Sequence, residues 1–220
     1  MKRLLRGGAP TPESSQPSPQ SGAAPAEPHA RHSHGLEQFL SHLQKRDSLR
    51  VLDVGGVTQA NVSFITELGH KLYAEDFLRA LDASLAQGQP GAELDPGLVQ
   101  AFLSQNLDFP EGHFDGILLW DALEFLPPPL LKATIDRLFR ITKHDSSSLL
   151  AFFHAEEKAV SVPVYSYRIS DASTLLLARR KMRRPLQLFN NRGVEKLFQR
   201  FHSVKFFLTR DHLREVIVRR

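Results

Sequence analysis

Short, mostly apolar runs at residues 49–54, 70–74, 114–120 and 148–153 alternate with stretches whose apolar residues recur every three or four positions. Runs apolar on both faces predict buried parallel strands. The spacing of three and four predicts amphipathic helices between them. Their inner faces would be Val62, Phe64, Ile65 and Leu68, then residues 77–85, then Leu98, Val99, Phe102 and Leu103, then Leu130, Leu131, Ile135, Leu138 and Phe139. Gly69 suits a helix C-terminus, and Asp95-Pro96 suits a helix start. An earlier helix is marked by Leu36, Phe39, Leu40 and Leu43.

Alternating strands and helices joined by right-handed crossovers give an α/β, Rossmann-like, doubly wound and mostly parallel sheet. The helix starting at Asp95 stands where a third strand is expected, so that strand reads as missing. Val194, Leu197, Phe198 and Phe201 mark a last helix, and residues 204–208 and 213–218 read as an antiparallel pair joined by four residues. Residues 155–190 show no comparable pattern and are read as a variable insertion.

Composition sets the limits. The chain has 220 residues and no cysteine, which excludes a disulfide framework, a zinc ribbon and a cysteine nucleophile. It agrees with a reducing, cytoplasmic setting. No apolar run reaches the roughly 18 residues of a membrane span. Six of the 14 prolines fall between Pro10 and Pro28, in a stretch of Gly, Ala, Ser and Gln that cannot bury enough apolar surface to offset ordering. Residues 1–34 are therefore read as a disordered tail and residues 35–220 as the domain. His29, His32 and His34 fall in that tail, where they either bind a metal ion as a short histidine tract or, without fixed geometry, are simply part of the tail.

Charge is uneven. Residues 35–167 hold 10 basic and 18 acidic side chains, whereas residues 168–220 hold 14 and 4. Either the basic quarter meets an anionic partner, or oppositely charged faces pack together. The densest run, Arg179 to Arg184, has no nucleic-acid-binding signature beside it.

In this sheet type ligands bind at the carboxyl ends of the strands, where the strand order reverses. Four stretches meet there: Asp53-Val54-Gly55-Gly56, Glu75-Asp76, residues 106–109 and Trp120-Asp121. A glycine turn lets backbone N–H groups approach a ligand at a helix start. A strand-end carboxylate can accept both hydroxyls of a ribose, and an aromatic ring can stack on a purine. Together these describe an adenosine-type pocket. Each part also has a purely structural reading: a tight turn, a helix cap for Asp76, a backbone bond for Asp53 and a core position for Trp120.

Val51-Leu52-Asp53-Val54-Gly55-Gly56-Val57-Thr58-Gln59-Ala60-Asn61 resembles the first motif of class I S-adenosylmethionine-dependent methyltransferases. Tyr73-Ala74-Glu75-Asp76 resembles their second motif, and residues 107–126 are similar to the segment around their fourth strand. The resemblance covers residues 36–154, and 190–220 in outline. It implies S-adenosylmethionine as cofactor, held by Asp53, Gly55, Gly56, Thr58, Glu75, Asp76, Asp108, Phe109, Trp120 and Asp121. It also implies methyl transfer to an unidentified, small-molecule acceptor, with Asp121, Glu124 and His154 as candidate bases. The sequence departs from the family at Val57 and Gln59, where glycine is usual, and Gln59 would put its amide at the cofactor's methionine end. Leu103 replaces an acidic residue and Phe125 a histidine. These departures keep a second reading open: a non-catalytic module of the same fold, binding or regulating through its basic quarter.

Overall fold

The computed structural model describes residues 27–44, 46–85, 95–156, 158–207, 209 and 212–220. Most of the expected tail, residues 1–26, and the expected loop at 87–93 lie outside the described residues. The chain runs β1 (His29–His32), α1 (His34–Leu43), β2 (Arg50–Asp53), α2 (Gln59–Glu67), β3 (Lys71–Ala74), α3 (Phe77–Leu85), α4 (Pro96–Asn106) and β4 (Gly116–Trp120). It continues through a 3-10 turn (Ala122–Phe125), α5 (Pro128–Ile141), β5 (Ser148–His154), β6 (Val162–Ile169), β7 (Thr174–Arg183), α6 (Asn191–Leu197), β8 (Ser203–Phe207) and β9 (Leu213–Arg219).

Six strands form the main sheet in the order β3-β2-β4-β5-β9-β8. The first four are parallel, and β9 runs antiparallel to both β5 and β8. Among the described residues no strand intervenes between β3 and β4, so β3 is the sheet edge. Chain signals explain the helix ends. Thr58 and Asp95 accept backbone N–H groups of Asn61 and Gly97, and Gly69 sits at φ +81° after α2.

Alternation along the strands divides the core. Leu52, Ile117, Leu119, Leu149, Ala151 and Phe153 face a layer that includes Phe77, Phe102, Leu131, Leu138 and Phe198. Val51, Leu118, Trp120, Leu150 and Phe152 face α1, Ile65 of α2, and Tyr167, Ile169, Leu175 and Leu177. Burying each such side chain contributes about 1.5–3 kcal/mol.

Two expectations need correction. Residues 155–190 are not irregular: β6 and β7 pair as an antiparallel hairpin with β1 added at its edge. The expected boundary at residue 35 is also too late. Arg31 on β1 is buried, pairs with the buried Glu215 and donates to the Leu213 carbonyl at 3.2 Å. The Glu215 carboxylate also accepts the Gly35 N–H at 2.5 Å, which locks the start of α1 to β9. A buried partner more than 180 residues away, rather than local apolar content, orders this segment.

Candidate functional site

The strand order reverses between β2 and β4, which places the ligand crevice of this architecture there. The turn after β2 takes a positive φ only at Gly56, +92°, where its N–H donates to the Glu75 carbonyl. A side chain at Gly56 would also meet the Asp76 carboxylate at 3.1 Å. The two departures from the glycine pattern do not obstruct the crevice. Val57 is exposed, and Gln59 lies along the outside of α2 with its amide donating to Ser63 Oγ at 3.0 Å. The expectation that Gln59 would occupy the methionine end is thereby corrected.

Trp120 fills the crevice instead. It ends β4 with φ +50°, a conformation that costs a bulky residue about 1–3 kcal/mol and is found mainly at functional sites. Its indole N–H donates to Asp53 Oδ1 at 2.6 Å, so it reaches across from β4 to β2. A Cβ on Gly55 would lie 2.6 Å from the indole, so glycine there is required by Trp120. The indole also stacks on Tyr167 of β6, with centroids 4.8 Å apart and planes 2° apart. Asn61 completes the knot: its amide donates to Asp53 and to the Tyr167 carbonyl, and its oxygen accepts the Ile169 N–H. Asp53 thus accepts from Trp120, Asn61 and Gly55, yet burial still pushes its pKa up against those three bonds.

The two acidic residues after β3 differ. Asp76 caps α3 by accepting the Arg79 N–H at 3.0 Å and pairs with Arg180 of β7 at 3.4 Å. Glu75 is half-buried, its carboxyl is pushed up by burial, and it has no side-chain partner among the described residues. Of the pair, Glu75 is the available acceptor.

A second polar group lies at the ends of β4 and β5. Glu124 is fully buried; it accepts the His154 ring at 2.6 Å and the His154 backbone N–H at 3.0 Å. The other ring nitrogen of His154 donates to the Pro163 carbonyl at 3.2 Å. Burial opposes charge on this imidazole, but the hydrogen bond and charge of Glu124 outweigh it, and the pKa of His154 is raised. His154 also lines a cavity of about 140 Å³ with Pro163, Tyr165 and His212. Asp121 is buried with the Tyr167 hydroxyl as its side-chain neighbour. Burial raises the Asp121 pKa to about 6, against the charge of His154.

The structure therefore gathers Asp53, Gly55, Gly56, Glu75, Asp76, Trp120 and Asp121 around the crevice, with Thr58 as the α2 cap and Glu124 and His154 beside it. It does not bring Asp108 or Phe109 there. Asp108 is exposed and pairs with Arg137 of α5, and Phe109 packs on Phe114 and His113 before the start of β4. Both belong to the opposite end of the strand. Asn61 enters as a site residue beyond the strand ends, and Tyr167, which as an aromatic residue of the expected insertion could line a pocket or pack onto the sheet, packs on Trp120. The alternation of Val162, Val164, Leu175 and Leu177 was the available signal for the hairpin that carries Tyr167. Three of the five cations in the basic run are paired internally: Arg180 with Asp76, and Lys181 and Arg183 with Asp82 at 2.7 and 2.9 Å. Oppositely charged faces do pack together here.

No family model matches this sequence, and no curated protein matches it. Solved structures do. A S-adenosylmethionine-dependent methyltransferase from Archaeoglobus fulgidus superposes with a TM-score of 0.50 at 13% identity, covering 84% of this chain and 91% of that one. A 1,6-didemethyltoxoflavin-N1-methyltransferase from Burkholderia thailandensis, with 1,6-didemethyltoxoflavin and S-adenosylhomocysteine bound, gives 0.45 at 13% identity, covering 84% and 74%. No helix of the described residues is long and apolar enough to cross a membrane. With its four parallel strands, its antiparallel β9 and β8, and this likeness, the chain has the fold of the class I S-adenosylmethionine-dependent methyltransferases.

Proposed function

We propose that this protein is an S-adenosylmethionine-dependent methyltransferase acting on a small-molecule acceptor. The observation that carries the reading is Glu75, an unpartnered, half-buried carboxylate beside the glycine turn at the switch point. It is suited to accept the two hydroxyls of a ribose. When bound, the cofactor supplies a methyl group activated by a sulfonium. The chain's own part is to position the acceptor and to take its proton. Asp121, with a pKa of about 6, is ionised at neutral pH and can accept that proton. His154, tied by Glu124 and the Pro163 carbonyl, forms part of the wall of the small cavity beside it.

The nucleoside end of the cofactor fits the residues present. At the aminoacyl end Trp120 takes up the crevice, so occupancy requires the indole to leave Asp53 and Tyr167. That knot is also the specific observation favouring the second reading, a non-catalytic module of the same fold.

Calorimetric titration separates the readings. Adenosine should bind the wild type, and S-adenosylhomocysteine should bind Trp120→Ser at least about tenfold more tightly than the wild type, a difference of about 1.4 kcal/mol. If neither ligand binds either folded protein, the methyltransferase reading fails and the module reading takes its place.

A further inference from the structure

Three metal-ligating side chains meet where β1 passes into α1, away from the crevice. His32 is the last residue of β1, His34 the first of α1, and Glu37 lies in its first turn. His32 Nε2 is 3.2 Å from His34 Nδ1, and His34 Nδ1 is 3.5 Å from Glu37 Oε2. One donor atom from each residue lies within 4.8 Å of the others. Around a tetrahedral zinc ion with bonds of about 2.0–2.2 Å, two ligand atoms are roughly 3.3 Å apart. The two short separations are already those of tetrahedral edges.

The backbone that carries these groups is held on every side. β1 pairs with β7, with His32 opposite Thr174, and the Ser33 N–H donates to the Ser173 carbonyl at 2.7 Å. Ser33 Oγ caps α1, while buried Glu215 takes both Arg31 before it and the Gly35 N–H after it. The His34 ring stacks on Phe207. Lys205, which shares a surface cleft with His34 and Glu37, donates to Gln38 at 2.7 Å and lies over the Phe207 ring. The positive end of the α1 dipole opposes a cation, and the Glu37 carboxylate offsets it.

We propose that His32, His34 and Glu37 form a binding site for a borderline divalent transition-metal ion, zinc foremost, with a coordination position left open to solvent. Two imidazoles and one carboxylate suit zinc, nickel or copper and not magnesium, which prefers oxygen alone. His32 belongs to the three-stranded sheet and the other two ligands to the helix packed on the main sheet. The ion therefore ties the end of β1 to the first turn of α1.

The test uses the full chain without an affinity tag, freed of metal by chelation and titrated with zinc chloride in a calorimeter. One ion should bind per chain and raise the melting temperature, and magnesium chloride should do neither. Cobalt should give the intense visible absorption of a tetrahedral nitrogen and oxygen site. His32→Gln and Glu37→Gln, both at exposed positions, should each weaken zinc binding at least tenfold without lowering the melting temperature of the metal-free protein. Absence of zinc binding overturns the proposal. So does binding that survives both substitutions, which would place the ion on other histidines. Should either variant misfold, loss of the cobalt spectrum in the other remains decisive.

Discussion

Replacing Asp121 by Asn should make the protein more stable at neutral pH while removing its activity. Asp121 is a buried carboxyl, and burial raises its pKa from 3.8 to about 6 against the charge of His154 and a hydrogen bond from Tyr167. Each unit is worth about 1.4 kcal/mol, so ionising this group in the fold costs about 3 kcal/mol relative to the unfolded chain. The direction follows from proton linkage. Between about pH 4 and about pH 6 the unfolded carboxyl is ionised while the folded one keeps its proton. The native state then binds more protons, so its stability falls as pH rises through that window and stays reduced above it. An amide of the same shape carries no such penalty. Urea unfolding should show Asp121→Asn more stable than wild type by up to about 3 kcal/mol near pH 7.5 and little different near pH 4. The variant should also lose methyl transfer, because a buried polar group kept at a cost to stability is the mark of a working residue. Equal stability at both pH values, or a gain that does not depend on pH, would refute this reasoning.

Further outcomes are open to measurement. Glu75→Gln should weaken adenosine binding by about tenfold, since a hydrogen bond to a charged group contributes about 1.5–3 kcal/mol, whereas Asp76→Asn should leave affinity nearly unchanged. Unaltered affinity in Glu75→Gln by calorimetry would remove Glu75 from the site. His154 should titrate above the ordinary histidine value by NMR, and its midpoint should drop in Glu124→Gln. The stability it confers is complete below the unfolded pKa of about 6.5 and is lost as pH rises through the higher folded value. Deleting residues 1–26 should leave chemical stability intact. Deleting residues 1–34 strips Arg31 from buried Glu215 and should cost about 3–5 kcal/mol in denaturant unfolding.

The apolar pattern by itself determined the parallel core. Strands such as 114–120 and 148–153 are apolar on both faces, and only a sheet covered on both sides buries them. Local chemistry likewise placed Thr58, Gly69 and Asp95 at helix ends, because caps depend on neighbours within a few residues. The candidate site was legible as a set of strand ends, since topology alone brings Asp53, Glu75 and Trp120 to one crevice. What each residue does there was decided only in three dimensions. Glu75 and Asp76 are adjacent and chemically alike, yet Arg180, 104 residues away, ties up one and leaves the other. Trp120 reads as core or as ligand platform until Tyr167 and Asp53 fix its ring across the switch point. Order at His29–His32 likewise depends on Glu215 and β7, contacts between residues far apart in the chain. Local pattern can report the backbone's preferences, but the pairing of buried charges and rings is set by which distant segments the fold packs together.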